Sequence, residues 1–119
     1  MKPADLRIKR IYASPGAEDG QRVLVDRLWP RGVSKAKAEL TLWLKEIAPS
    51  PDLRKWFEHQ PDRFAAFSAD YRAELAANPE AVARLRALID RGPVTLLYAA
   101  RDPQCNHALV LQAYMRETS

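Results

Sequence analysis

The segment from Pro93 to Ala100 (PVTLLYAA) constrains this chain most, because it is the most apolar run in the sequence. A short, almost continuously apolar stretch between Gly92-Pro93 and Asp102-Pro103 reads as a strand covered on both faces, at the centre of a sheet. Two earlier segments can flank it. Leu6 to Tyr12 (LRIKRIY) alternates apolar and basic residues at period two, the pattern of a strand with one covered face. Arg22 to Leu28 (RVLVDRL) is apolar without interruption at Val23, Leu24 and Val25, so it belongs nearer the centre. Turn residues Ser14-Pro15-Gly16 and Asp19-Gly20 separate these two strands. A connection of about nine residues falls short of the dozen or more that a parallel crossover normally needs. The first two strands are therefore expected to be antiparallel, unless residues 13–21 fold into a tight helical turn.

Between the second strand and the apolar one lies helical sequence. Ser34 can cap a helix over Lys35 to Ala48 with Leu40, Trp43, Leu44 and Ile47 on one stripe, although Thr41 to Leu44 also suits an extended segment. Ser50 caps a short helix with Pro51 at its first position and Leu53, Trp56 and Phe57 inward. Pro61 to Ala76 carries Phe64, Phe67, Tyr71 and Leu75 at spacings of three and four, an aromatic stripe of the kind that fills a core. Asn78-Pro79 opens another helix with Val82, Leu85, Leu88 and Ile89 inward, and Gly92 stops it. Asp102-Pro103 opens the last helix, with Leu109, Val110, Ala113 and Tyr114 toward the core. The order β-β-α-α-α-α-β-α predicts an α/β fold. It would be a single small domain over residues 1–119, three-layer-like, with a short sheet of about three strands, at least partly parallel, and helices packed around it.

Composition narrows the class. Dispersed aromatic and branched apolar residues exclude a collagen-like, low-complexity or disordered chain. No apolar run reaches the roughly 20 residues that span a bilayer, and Met1 to Asp5 leads into no signal-like core, so no membrane partner is expected. Cys105 is the sole cysteine and cannot form an internal disulfide, which fits a reducing cytoplasm. Two distant histidines, His59 and His107, and one cysteine are a poor ligand supply for a metal. A glycine-rich phosphate loop, a G-x-S-x-G elbow and a zincin motif are all missing, so neither metal nor cofactor is expected. The net charge of +4 resides in residues 1–60, concentrated at Arg22, Arg27, Arg31, Lys35 and Lys37, and such a field attracts phosphates, nucleic acids or acidic surfaces.

Ligand sites in open α/β sheets lie beyond the carboxyl ends of the strands. If the second and last strands run parallel, Asp26 to Gly32 and Tyr98 to Asp102 face each other across a crevice, with His107 beside them. Guanidinium groups match phosphate and carboxylate as bidentate donors, so Arg27, Arg31 and Lys35 are candidates to hold an anion, with Arg101 opposite. His107 is the candidate acid–base, Asp26 the group that orients it or an arginine, and Tyr98 and Asn106 further donors. A small phosphate-containing anion is then the expected ligand, with metal-independent hydrolysis or group transfer as the chemistry if there is any. Two alternatives compete. A nucleic-acid-binding accessory protein would stack bases on Trp29 between Arg27 and Arg31, and a non-catalytic interaction module would dock the same loop on an acidic partner. His59 is expected at the surface, and Cys105 is expected to be an inert small residue.

The run Val23-Leu24-Val25-Asp26-Arg27-Leu28-Trp29-Pro30-Arg31-Gly32 resembles the YeaO-like family, a bacterial family of unknown function. Trp43 to Ser50, Leu53 to Phe57, Leu96 to Asp102 and Asn106-His107-Ala108 extend the resemblance over nearly the whole chain. It implies a small cytoplasmic α/β protein and no particular activity. It also implies that larger relatives carry Asp-x-Arg after the second strand and Cys-His-Arg at the start of the last helix. Here the acid is Asp26, the arginine position falls on Leu28, and the triplet becomes Asn106-His107-Ala108. The positions that carry over are Asp26 and His107, and a mechanism through the triplet's cysteine does not.

Overall fold

The computed structural model describes residues 6–118, so Met1 to Asp5 and what was expected of them lie outside the described residues. Its centre is a sheet of four parallel strands in the order β1-β4-β2-β3. These are β1 (Leu6–Arg10), β2 (Gln21–Leu24), β3 (Leu42–Trp43) and β4 (Val94–Tyr98). The apolar run forms β4, and all five of its residues are buried because strands flank both of its edges and side chains cover both of its faces.

Two expectations are corrected here. The first two strands are not antiparallel. Both pair in parallel with β4, which lies between them, in registers that place Leu6 and Gln21 each against Val94. The ten residues from Ile11 to Gly20 return the chain without an α-helix, through a single 3-10 turn at Ala17–Asp19. At about 3.3 Å per residue such a connection reaches roughly 33 Å, enough to run back along a five-residue strand and step over one neighbour. The Asp19 carboxylate anchors this return. It accepts from the Gly16 N–H (3.0 Å), from Lys9 Nζ (3.1 Å) and from Arg22 Nη1, while the Asp19 carbonyl accepts from Thr95 Oγ1 (2.7 Å).

The second correction concerns Lys35 to Ala48, where one helix was expected. Helix α1 spans only Lys35–Ala38 and stops at Glu39 in the left-handed region (φ 47°). Leu42 and Trp43 then pair with Val23 and Leu24 as β3, which makes four strands rather than three. The Thr41 N–H bonds the Arg22 carbonyl at 2.8 Å, and Thr41 Oγ1 accepts from the Arg22 N–H at 3.1 Å. Ladder bonds along the open edge of β2 thus override the helical tendency of the sequence.

Helices α2 (Pro51–Phe57), α3 (Phe64–Ala76), α4 (Pro79–Arg91) and α5 (His107–Glu117) cover one face of the sheet. That face buries Val23, Val25, Leu96 and Tyr98 against Phe67, Tyr71, Leu85 and Leu111. Burying each such large side chain contributes about 1.5–3 kcal/mol. The opposite face is thinner. Ile11, Leu24, Ala38 and Leu97 pack there with Trp29 and Trp43, whose rings meet edge to face at 5.4 Å. Three helix details differ from the expectation. The last helix buries Ala108, Leu111 and Met115 beside Val110, and leaves Leu109, Ala113 and Tyr114 only partly buried. Trp56 is 44% exposed rather than inward, with the Arg63 guanidinium over its ring. The last helix starts at His107 rather than at Asp102, because Asp102 Oδ1 accepts from the Gln104 and Cys105 N–H groups in a turn of its own. No described helix is long and apolar enough to cross a membrane.

Candidate functional site

Parallel pairing brings the carboxyl ends of β2 and β4 side by side, with the Val25 N–H on the Leu97 carbonyl at 3.0 Å. One residue further, Asp26 Oδ2 accepts from the Ala99 N–H at 3.0 Å and clips the two strand ends together. The Asp26 carbonyl accepts from Trp43 Nε1 at 2.7 Å, which ties β3 to the same point. His107 is the first residue of α5 and reaches this edge from above. Its Nε2 lies 3.0 Å from the Val25 carbonyl and 3.1 Å from Asp26 Oδ1. Both neighbours are acceptors, so the tautomer that fits this geometry has its hydrogen on Nε2 and donates to the Val25 carbonyl. Asp26 Oδ1 is shut off from solvent and has no hydrogen-bond partner among the described residues, although the histidine nitrogen stands beside it.

Asn106 is fully engaged as the cap of α5. Its Oδ1 accepts from the Leu109 N–H (3.0 Å) and its Nδ2 donates to the Asp102 carbonyl (2.9 Å), which satisfies an orphan donor of the helix start. Beside it, burial and then the Asp102 carboxylate push the Cys105 thiol above its ordinary value, the opposite of what an attacking thiolate needs. The Arg27 guanidinium donates to the Ala48 (3.0 Å) and Pro49 (3.3 Å) carbonyls and holds the chain that leads into α2. Arg10 does the same for the segment after β4, through the Ala99 (3.1 Å) and Ala100 (2.9 Å) carbonyls.

These segments frame a cleft of about 740 Å³. Of the residues expected at the site, Asp26, Arg27, Arg101, Asn106 and His107 line it together. Four others do not. The Trp29 indole turns to the thin face of the sheet, where Nε1 donates to the Val33 carbonyl at 2.7 Å and the ring packs on Trp43. Arg31 and Lys35 follow Trp29 away from the cleft and are exposed. Tyr98 is only 4% exposed within the main core, and burial raises its phenol above the ordinary value although nearby Arg10 opposes this.

The opposite wall comes from residues that sequence reasoning did not place there. Arg54 and Lys55 project from α2, and His59 follows it. Leu53 and Phe57 are buried one helical turn apart, which leaves Arg54 and Lys55 on the exposed side of α2. That rotation could be read from the sequence, but nothing there said that α2 would face the 99–107 segment. His59 is exposed, as expected, and also lines the rim. The side chains of Arg54, Lys55 and Arg101 have no hydrogen-bond or ion-pair partner among the described residues. With Arg27 they set four cations against the two carboxylates of Asp26 and Asp102. Among the described residues no group of His, Cys, Asp and Glu could hold a metal.

Fold and site together define a small parallel α/β protein with a cationic cleft at the carboxyl edge of its sheet. The chain belongs to the family described as the inactive DUF488-N3 subclade, which it matches over residues 5–119. It is 44% identical to the uncharacterized protein YeaO of Escherichia coli over 112 residues, 94% of this chain and 97% of that one. Uncharacterized proteins of Mycobacterium tuberculosis and Mycobacterium bovis are likewise 44% identical over 111 residues, 93% of this chain and of each of theirs. No solved structure matches it.

Proposed function

We propose that this protein binds an anionic small molecule in the cleft and does not transform it. The observation that carries this reading is the contrast between the groups that are engaged and those that are not. Arg54, Lys55 and Arg101 face a concave space with no partner among the described residues, and charge-assisted bonds from such groups are the strong ones. The groups that chemistry would use serve the fold instead. Asn106 caps α5, Asp26 clips β2 to β4, and His107 Nε2 is held between two acceptors. At the position where the family resemblance implies a cysteine, this chain has Asn106, which cannot act as a thiolate. The description of the family as an inactive subclade supports the same reading. The sole cysteine and the chemistry of an anionic metabolite fit a cytoplasmic protein.

The test is a thermal-shift and calorimetric screen of phosphate, sulfate, carboxylates and phosphorylated metabolites against wild type, Arg54→Ala and Arg101→Ala. A ligand at a hundredfold excess over its dissociation constant adds about 2.7 kcal/mol of apparent stability. Each variant is expected to lose tenfold or more in affinity, since a bond to a charged group contributes about 1.5–3 kcal/mol. Binding indifferent to both substitutions would refute the site. Consumption of a bound ligand by wild type but not by His107→Ala would refute the absence of chemistry.

A further inference from the structure

We propose that the ligand of this cleft carries a flat apolar or aromatic body beside its anionic group, the chemistry of an aryl phosphate or a nucleoside monophosphate. This rests on the anion-binding reading above and names the class of molecule that the same site takes. A bare inorganic anion needs a few donors and little else, yet the cleft is far larger and its walls are mixed. About 740 Å³ lies within the range that holds drug-sized organic ligands, which are gripped by apolar surface and oriented by a few polar groups. Pro49, Pro51, Phe57, Ala99 and Ala100 supply the apolar surface here. Leu28 stands at the same cleft with 65% of its surface exposed, a large apolar side chain that nothing in the fold covers.

The rim adds a ring. The His59 imidazole lies 6.0 Å from the Phe57 ring at an interplanar angle of 52°, so an aromatic edge extends from the core to the mouth of the cleft. His59 reaches this position with its backbone in the left-handed region (φ 56°), directly after Glu58 in the same region (φ 48°).

The polar groups sort by charge. Arg54 and Lys55 sit on α2, whereas Asp26 and Asp102 belong to the strand ends and the loop after β4. Asp102 Oδ1 is taken by two backbone N–H groups, and the carboxylate also faces the Cys105 thiol. A ligand charged throughout its length would meet those carboxylates unfavourably. One with an anionic head and an uncharged body bearing a hydroxyl or amino donor would satisfy both sides.

Isothermal titration of the full chain with inorganic phosphate, phenyl phosphate, adenosine 5′-monophosphate and adenosine tests this, on wild type, Arg54→Ala and Leu28→Ser. At least one ring-bearing phosphate is expected to bind tenfold or more tighter than inorganic phosphate. Leu28→Ser should shrink that advantage about threefold, and its exposure means that the fold survives the change. Arg54→Ala should weaken the phosphates about tenfold and leave adenosine little affected. A preference for the mononucleotide over phenyl phosphate assigns the nucleotide source, and the reverse assigns the aryl source. Equal binding of inorganic phosphate and both ring-bearing phosphates would overturn this inference while leaving the anion-binding reading intact. If none of the three phosphates binds, this inference fails, and the anion-binding reading fails with it only if sulfate and the carboxylates of the wider screen do not bind either.

Discussion

Replacing Asp19 by asparagine tests how the short return from β1 to β2 is held. The carboxylate lies between Lys9 and Arg22 and also takes the Gly16 N–H. The side chains of Arg22 and Asp19 are only 6% and 7% exposed, whereas Lys9 is 26% exposed and can turn to water. Asparagine keeps the shape and one acceptor but leaves the buried guanidinium without a counter-charge. Arg22 would then retain the Ala38 carbonyl at 3.0 Å and at most a neutral amide oxygen, and its Nη2 has no partner even in the native protein. Breaking one side of a buried ion pair costs about 3–5 kcal/mol, and the surviving acceptor places this case near 3 kcal/mol. At about 4 °C per kcal/mol for a domain of this size, the melting temperature should fall by roughly 12 °C. Urea denaturation at pH 7 measures the loss directly, as a lower midpoint at an unchanged slope. The acid limb supplies a second reading. Burial would raise the Asp19 carboxyl, but the Gly16 N–H, Lys9 and Arg22 outweigh it and hold the group below 3.8. Because the unfolded chain binds that proton more readily, the contribution is present above about pH 4 and is lost as pH falls through the lower folded value. Wild type should therefore lose stability more steeply than Asp19→Asn in that window. A loss below about 1 kcal/mol at pH 7, the worth of an exposed pair, would refute this account of the turn.

Three other substitutions and one treatment have expected outcomes. Gly20 has φ 64° and ψ −132°, and an added Cβ would stand 2.5 Å from the Pro93 carbonyl oxygen, so Gly20→Ala should cost at least about 2 kcal/mol in urea denaturation. Glu58→Gly relieves a left-handed residue at the end of α2 and should raise stability by about 1 kcal/mol in the same assay; a loss would mean that the Glu58 side chain holds the turn. Cys105, with its thiol pushed upward by burial and by Asp102, should react with iodoacetamide more slowly than a free cysteine at pH 7.5. Asp102→Asn should speed that reaction, as followed by mass spectrometry.

The elements with strong local patterns were legible in the sequence. The apolar run of β4, the alternation of β1, the aromatic stripe of α3 and the capping serine of α2 each carry their own period or cap, and each forms where expected. What escaped depends on partners distant in the chain. The place of β4 between β1 and β2 is a fact about residues more than seventy positions apart, and no local period encodes it. The two-residue strand Leu42–Trp43 exists because β2 offers an open edge and Trp29 a ring to pack against. Trp29, flanked by basic residues, reads as a ligand platform, yet its indole has a carbonyl and a second indole waiting on the thin face of the sheet.

The site divides along the same line. Asp26 and His107 could be placed together from the sequence because both sit at ends of elements, and parallel strands bring such ends to one edge. Arg54 and Lys55 could not, because their place in the cleft depends on where α2 lies. That position is fixed by the Arg27 guanidinium on the Ala48 and Pro49 carbonyls, and by the Ser50 N–H and hydroxyl on the Glu74 carboxylate at 2.9 and 2.6 Å. The Asp26–His107 pair resembles catalytic machinery but is drawn into the joint between β2, β4 and α5, while two of the uncommitted cations, Arg54 and Lys55, stand across the cleft on a helix whose own packing does not use them. An enzyme needs its reactive groups free and its binding groups aimed at them. On the proposed reading the free groups are those that would bind, and the groups that could react hold the walls apart.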